Sequence, residues 1–140
     1  AQGEWLGHNT DAEGFHRSLP ADLPHAASTV IWGGGGVLSF LQKEFPAATS
    51  YSVRTGAPRA ATSSSLSPDL VIWAAGPRDP LPNQAWTPRW LIDLNYREDS
   101  EARNWALELR KRGLPSRYIS GEDFFYQQAE LQRQYWRGRL

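Results

Sequence analysis

The stretch Val30-Ile31-Trp32-Gly33-Gly34-Gly35-Gly36 decides the expected fold of this chain. Residues 28–32 form a short apolar run with β-branched side chains, which is typical of a strand buried in a parallel sheet. Beyond the four glycines, apolar residues recur at helical spacing until Pro46: Val37, Leu38, Leu41 and Phe45. The stretch therefore predicts a strand, a glycine turn and a helix in direct succession.

Segments of the same two kinds follow or precede this unit along the chain. Further strands are predicted at 48–54, 69–75, 90–94 and 116–120, and further helices at 9–19, 100–112 and 122–136. In the helix at 100–112, Ser100 is a suitable N-cap and Gly113 a suitable stop. Short apolar strands that alternate with helices predict one α/β domain over residues 1–140. Its expected form is a Rossmann-type, doubly wound, mostly parallel sheet in three αβα layers.

Composition and charge restrict the classes of partner. Fifteen basic and fifteen acidic side chains balance, which gives no electrostatic reason to expect a nucleic acid or an anionic membrane. No apolar run approaches the roughly 18 residues that span a bilayer, and no signal peptide is visible, so a cytoplasmic protein is expected. The absence of cysteine excludes disulfides and thiolate chemistry. His8, His16 and His25 lack metal-ligand spacing, so no metal site is expected.

The glycine stretch has the features of a dinucleotide-binding turn. Gly33 allows a tight turn after the strand, and Gly35 lets the backbone approach a pyrophosphate that the start of the next helix attracts. Leu38 stands at the third small position of the G-x-G-x-x-G pattern and is larger than the usual residue there. The strand–glycine–helix context favours a phosphate site, and a flexible glycine turn is the alternative.

Two arginines near the end of the second predicted strand indicate which dinucleotide is bound. An NAD site usually has an acidic residue here for the ribose hydroxyls. This strand instead ends at Arg54, and Arg59 follows shortly after it. Guanidinium groups at this place favour the additional phosphate of NADP through charge-assisted hydrogen bonds. The alternative is that Arg54 and Arg59 are ordinary surface charges.

Five short motifs, taken in order, resemble those of the shikimate dehydrogenase family. Gly7-His8-Asn9-Thr10-Asp11-Ala12-Glu13-Gly14-Phe15 looks like that family's G-x-N-T-D-x-x-G-F motif, and Gly33–Gly36 is similar to its G-A-G-G loop. Val53-Arg54-Thr55 resembles its N-R-T motif, and Asp93-Leu94-Asn95-Tyr96 resembles its D-x-x-Y segment. Residues 121–128, Gly-Glu-Asp-Phe-Phe-Tyr-Gln-Gln, resemble its G-x-x-M-L-x-x-Q segment. The resemblance covers nearly the whole chain.

The resemblance implies roles for the matched residues. Asp11 would be the catalytic aspartate, which works with a lysine to move the proton of the hydroxyl group that is oxidised. Substrate-binding roles fall to Asn9, Tyr96 and Gln128. The expected contacts to NADP, with Arg59 included for its position, are Gly33, Gly35, Gly36, Arg54, Thr55, Arg59, Ala75 and Gly121. An NADP-dependent oxidoreductase of aromatic amino-acid biosynthesis, which interconverts dehydroshikimate and shikimate, is therefore implied.

The same residues have plainer interpretations on local sequence alone. Asp11 is then a carboxylate stabilised at a helix N-terminus, Gln128 a polar helix residue and Tyr96 a packing residue. The second functional hypothesis is accordingly a non-catalytic Rossmann-like module that binds a nucleotide or another protein.

The resemblance implies that the catalytic lysine belongs to an N-terminal substrate domain, which this sequence does not include. Residues 1–27 would be the segment that crosses from that domain, and the small-molecule substrate would bind through it. Lys43 and Lys111 both lie on predicted helices of the nucleotide domain, so we expect this chain alone not to turn over shikimate. Without the substrate domain, Phe125 and Trp136 of the last helix would be exposed, which favours a homodimer.

Overall fold

The computed structural model describes residues 19, 28–60, 67–95, 99–121, 130, 133, 134 and 137. Within them, five strands form one sheet: β1 (Thr29–Gly33), β2 (Thr49–Tyr51), β3 (Leu70–Ala74), β4 (Trp90–Asp93) and β5 (Arg117–Ile119). Neighbouring strands all pair in parallel, in the order β2-β1-β3-β4-β5. The predicted parallel sheet is confirmed.

The strand order reverses its direction once, at β1. From β1 the chain crosses to β2 on one side, whereas β3, β4 and β5 follow one another on the other side. The connections that leave the carboxyl ends of β1 and β3 therefore diverge. Ligands of doubly wound sheets usually bind in the crevice that such a divergence opens.

Helices cover both faces of the sheet. A turn of 3₁₀-helix (Gly35–Val37) leads from β1 into α1 (Leu38–Glu44), and α2 (Glu101–Lys111) connects β4 to β5. Ile31 of β1 belongs to the same core cluster as Leu41 of α1. Its neighbour Trp32 belongs to the opposite cluster, with Trp105 of α2, because successive strand residues face opposite layers. The predicted three-layer Rossmann-like α/β fold is confirmed.

Local capping interactions determine where α2 begins and ends. Ser100 Oγ accepts the Arg103 N–H at 3.1 Å, which satisfies one free donor of the first turn. Gly113 follows the last turn with a φ of +80°, and Leu114 N–H donates to Leu109 O at 3.0 Å, which is the glycine-based helix ending. Both predicted signals are confirmed.

β2 is shorter than the predicted strand at 48–54, because the chain turns away after Tyr51. Ser52 O accepts the Gly56 N–H at 2.8 Å, and Gly56 has the left-handed φ of +69°. Val53 suits a strand by its β-branched side chain, but the turn that Gly56 permits decides the local structure. Arg54 and Thr55 consequently lie in a turn and not in a strand.

The residues that follow this turn run back along the outer edge of β2. Ser52 N–H donates to Ala57 O at 3.0 Å. Arg59 N–H donates to Ser50 O at 2.8 Å, and the preceding residue, Pro58, forms an antiparallel bridge with Tyr51. The return brings Arg59 back to the carboxyl end of the sheet.

The other predicted strands, at 28–32, 69–75, 90–94 and 116–120, are confirmed with ends that differ by one residue. The predicted helices at 9–19 and 122–136 lie outside the described residues apart from isolated positions. In the described part of the chain, no helix has both the length and the apolar character that crossing a membrane requires.

Candidate functional site

A cleft of about 690 Å³ lies at the carboxyl ends of β1, β2 and β3. It includes the point where the strand order reverses, and its volume is within the range of small-molecule sites. The residues that line the cleft are Gly33, Gly34, Gly35, Ser52, Val53, Arg54, Arg59, Ala74, Ala75, Gly76, Asp79 and Pro80. Gly33, Gly35, Arg54, Arg59 and Ala75, five of the predicted cofactor contacts, are thus brought together.

Gly33 closes the cleft at its base, where β1 and β3 approach each other. Its φ is +92°, and a Cβ built on it would lie 2.7 Å from Ala75 N and 2.8 Å from Ala75 Cα. Gly34 N–H donates to Ala74 O at 3.3 Å across the same gap. Only glycine fits at position 33, because a side chain would separate the two strand ends.

Gly35 and Gly36, which follow in the chain, have open space beside their backbone. Apart from its chain neighbours, a Cβ on Gly35 or on Gly36 would meet no heavy atom of the described residues within 4 Å, and Gly35 has a φ of +55°. The peptide groups here are therefore accessible to a ligand. Gly35 lines the cleft, whereas Gly36 is not among the lining residues.

Leu38, the departure from the usual glycine pattern, is accommodated by Gly34. A Cβ on Gly34 would lie 2.9 Å from Leu38 Cβ, so the missing side chain leaves the room that Leu38 fills. Leu38 then packs against the core cluster that contains Ile31 and Leu41. The large residue at this place is compatible with the turn because the neighbouring glycine makes space for it.

Arg59 is fixed across the ends of β1 and β2. Its Nη1 donates to Gly33 O at 2.7 Å and to Tyr51 O at 2.9 Å. Both acceptors are strand-end carbonyls, and no carboxylate in the described part of the chain forms an ion pair with this cation. Arg54 also lines the cleft and is exposed, and no residue in the described ranges pairs with its side chain.

Thr55, another predicted cofactor contact, belongs to the turn after β2. Its Oγ1 accepts the Ala57 N–H at 3.2 Å, and it is not among the residues that line the cleft. The hydroxyl therefore stabilises the turn that carries Arg54.

The loop after β3 places a carboxylate, Asp79, in the cleft. Asp79 Oδ2 accepts the Gly76 N–H at 2.6 Å, and Asp79 N–H donates to Gly76 O at 3.2 Å. Two buried indoles hold the loop from below: Trp73 Nε1–H donates to Gly76 O at 2.9 Å, and Trp32 Nε1–H donates to Pro80 O at 3.1 Å. Asp79 was not among the predicted site residues; its signal in the sequence is an acid in a Gly-Pro turn directly after a buried strand.

An aromatic cluster supports two walls of the cleft. The ring centroids of Trp32 and Trp86 are 6.5 Å apart, and those of Tyr51 and Trp86 are 4.9 Å apart, both pairs edge to face. Val53 and Ala75 pack against the core cluster that contains these rings. The walls of the cleft thus rest on large buried side chains.

A second polar group lies at the carboxyl end of β4, around the fully buried Asp93. Its Oδ2 accepts the hydroxyls of Ser100 and Tyr118, each at 2.5 Å. Its Oδ1 accepts the backbone N–H and the Nδ2 of Asn95, each at 3.0 Å. Asn95 Nδ2 also donates to Ala75 O at 3.0 Å, which connects this group to the wall of the cleft.

Tyr118 responds to this environment. Its burial, and then the hydrogen bond that it donates to Asp93, raise the pKa of its phenol well above the ordinary value. The phenol is therefore a proton donor to the carboxylate and stays protonated over the physiological range of pH. Sequence patterns gave no sign of this pairing, because the two residues are 25 positions apart.

Gly121, the last predicted cofactor contact, packs on the segment after β4. Its N–H donates to Asn95 O at 2.9 Å, and a Cβ on it would overlap the Asn95 carbonyl group. The glycine is required by this backbone contact, and Gly121 is not among the residues that line the cleft.

The predicted catalytic and substrate-binding residues, Asp11, Asn9, Tyr96 and Gln128, lie outside the described residues. Within the described ranges, no group of three or more His, Cys, Asp or Glu side chains is arranged to hold a metal ion. In comparisons with known proteins, no family model and no curated protein matches this chain.

Proposed function

We propose that this chain binds NADP in the cleft, as the cofactor-binding domain of an oxidoreductase similar to shikimate dehydrogenases. The observation that carries the proposal is the convergence of open glycine backbone and two arginines in one cleft at the reversal of the strand order. Backbone N–H groups and guanidinium groups are the donors that proteins use for phosphates. The sequence motifs add the likeness to that family.

The cleft residues fit the groups of a dinucleotide. The backbone at Gly35 has open space beside it, which suits a pyrophosphate that must approach closely. Arg59 is already fixed by two carbonyls, so its binding of a phosphate requires little further ordering of the side chain. Arg54 has no side-chain partner among the described residues, so it can bind the additional phosphate that distinguishes NADP from NAD.

The chemistry of the bound cofactor would be hydride transfer, and the protein would bind and orient it. Under this proposal, Asp11 exchanges a proton with the substrate hydroxyl, together with a lysine from another domain. Asn9, Tyr96 and Gln128 contact the substrate.

Calorimetric titration with NADP and, separately, with NAD tests the cofactor assignment. NADP should bind at least about ten-fold more tightly, because Arg54 contributes charge-assisted hydrogen bonds to the extra phosphate. Arg54→Ala should remove that difference and leave NAD binding unchanged. Arg110→Ala is the matched control, since it removes another exposed positive charge, on α2 and not among the residues that line the cleft.

Two results would count against the proposal. If neither nucleotide binds at millimolar concentration, the cleft is not a nucleotide site, and the alternative of a protein-binding module replaces it. If both nucleotides bind equally and Arg54→Ala has no more effect than Arg110→Ala, the preference for NADP is wrong.

A further inference from the structure

Asp79 has a place in the cleft that nucleotide binding by glycines and arginines leaves unexplained. The charged side chains among the lining residues are Arg54, Arg59 and Asp79. A carboxylate repels phosphates, yet the loop holds this one in a fixed orientation through the reciprocal bonds with Gly76. The cleft therefore pairs two anion-binding groups with one group that accepts hydrogen bonds.

One carboxylate oxygen of Asp79 can accept a hydrogen bond from a ligand. Oδ2 is occupied by the Gly76 N–H, whereas no donor in the described ranges bonds to Oδ1. An ionised carboxylate in such a position accepts O–H and N–H donors strongly. Ribose hydroxyls are donors of this kind, and acidic residues of dinucleotide sites bind them.

The topology decides which ribose is in reach. Arg54 follows β2 and Asp79 follows β3, and these strands lie on opposite sides of β1. A dinucleotide with its pyrophosphate at the glycines after β1 therefore extends one nucleoside to each side. With the adenosine phosphate at Arg54, the second ribose falls on the side of Asp79.

We propose that Asp79 accepts hydrogen bonds from the hydroxyls of the nicotinamide ribose. This inference rests on the proposed function and deepens it. The carboxylate then selects the dinucleotide over ligands that carry phosphates alone, because its repulsion of anions is offset only when hydroxyl groups are present.

The test compares Asp79→Asn with the unchanged protein by calorimetric titration. Asparagine has nearly the same shape and keeps an oxygen acceptor for the Gly76 N–H, so the loop retains its contact. The two ligands are NADP and its adenosine bisphosphate half, which lacks the nicotinamide ribose. Glu108→Gln serves as control, because it removes an exposed negative charge that is paired with Lys111 on α2.

Asp79→Asn should lower the affinity for NADP about ten-fold, as expected for the loss of hydrogen bonds to a charged acceptor. The adenosine bisphosphate should bind the variant at least as well as the unchanged protein, and Glu108→Gln should alter neither affinity. Unchanged or tighter NADP binding by Asp79→Asn would overturn the inference and leave the proposed function intact. An equal loss for both ligands would also overturn it, since the effect is then a distortion of the cleft. Absence of binding to either ligand by the unchanged protein would overturn the proposed function together with this inference.

Discussion

Substitution of Gly33 by alanine tests the most constrained contact in the molecule. The new Cβ would lie 2.7 Å and 2.8 Å from backbone atoms of Ala75, so β1 or β3 has to move. The positive φ of +92° costs a side chain about 1–2 kcal/mol, and overlap in a packed interior costs about 1–3 kcal/mol. Alanine also lowers the entropy of the unfolded chain, which stabilises by about 0.4–1 kcal/mol. The free energy of unfolding should therefore fall by about 1–5 kcal/mol.

Gly36→Ala is the matched control in the same loop. Position 36 has no positive φ, and a Cβ there would meet no heavy atom within 4 Å in the described ranges beyond its chain neighbours. Its free energy of unfolding should change by less than about 0.5 kcal/mol. Urea unfolding followed by far-UV circular dichroism measures both variants. Losses of similar size in the two variants, or a loss below about 0.5 kcal/mol in Gly33→Ala, would refute the close approach of β1 to β3.

Two further predictions concern pH and turnover. Burial and the hydrogen bond to Asp93 raise the pKa of Tyr118 above its unfolded value of about 10. The unfolded chain therefore releases this proton first, so the stabilisation is fully present below about pH 10 and is lost as the pH rises towards the folded pKa. Between about pH 8 and about pH 10.5, the free energy of unfolding in urea should therefore fall less for Tyr118→Phe than for the unchanged protein. An equal fall in both proteins would contradict this prediction. In the second prediction, the chain should show no reduction of NADP by shikimate, because neither Lys43 nor Lys111 lines the cleft; turnover above a protein-free blank would contradict this.

The parts of the fold that local sequence predicts well are those with local causes. β1 and β3 are continuous apolar runs because side chains pack against both faces of the parallel sheet that contains them. α2 begins at Ser100 and ends before Gly113 because these residues satisfy the terminal backbone groups themselves. The glycine turn after β1 was equally predictable, since a strand and a helix on its two sides restrict what it can be.

The parts that local sequence did not predict depend on distant partners. Arg59 reaches the cleft only because the chain reverses at Gly56, and a strand pattern over 48–54 gives no sign of that turn. Asp79 looked like part of an ordinary connection, since its place in the cleft depends on where β3 lies beside β1. The partners of Asp93 are 7 and 25 residues away along the chain, which no short motif can relate.

The segment that returns along β2 also affects how this protein behaves among other copies of itself. An open strand edge is a template on which another chain can add a strand, and long exposed edges promote aggregation. Here the outer edge of β2 is occupied by the chain's own backbone, through the bonds that join Ser52 to Ala57 and Arg59 to Ser50. A foreign strand would first have to displace both bonds. The turn that shortens β2 thus protects this side of the sheet from intermolecular pairing.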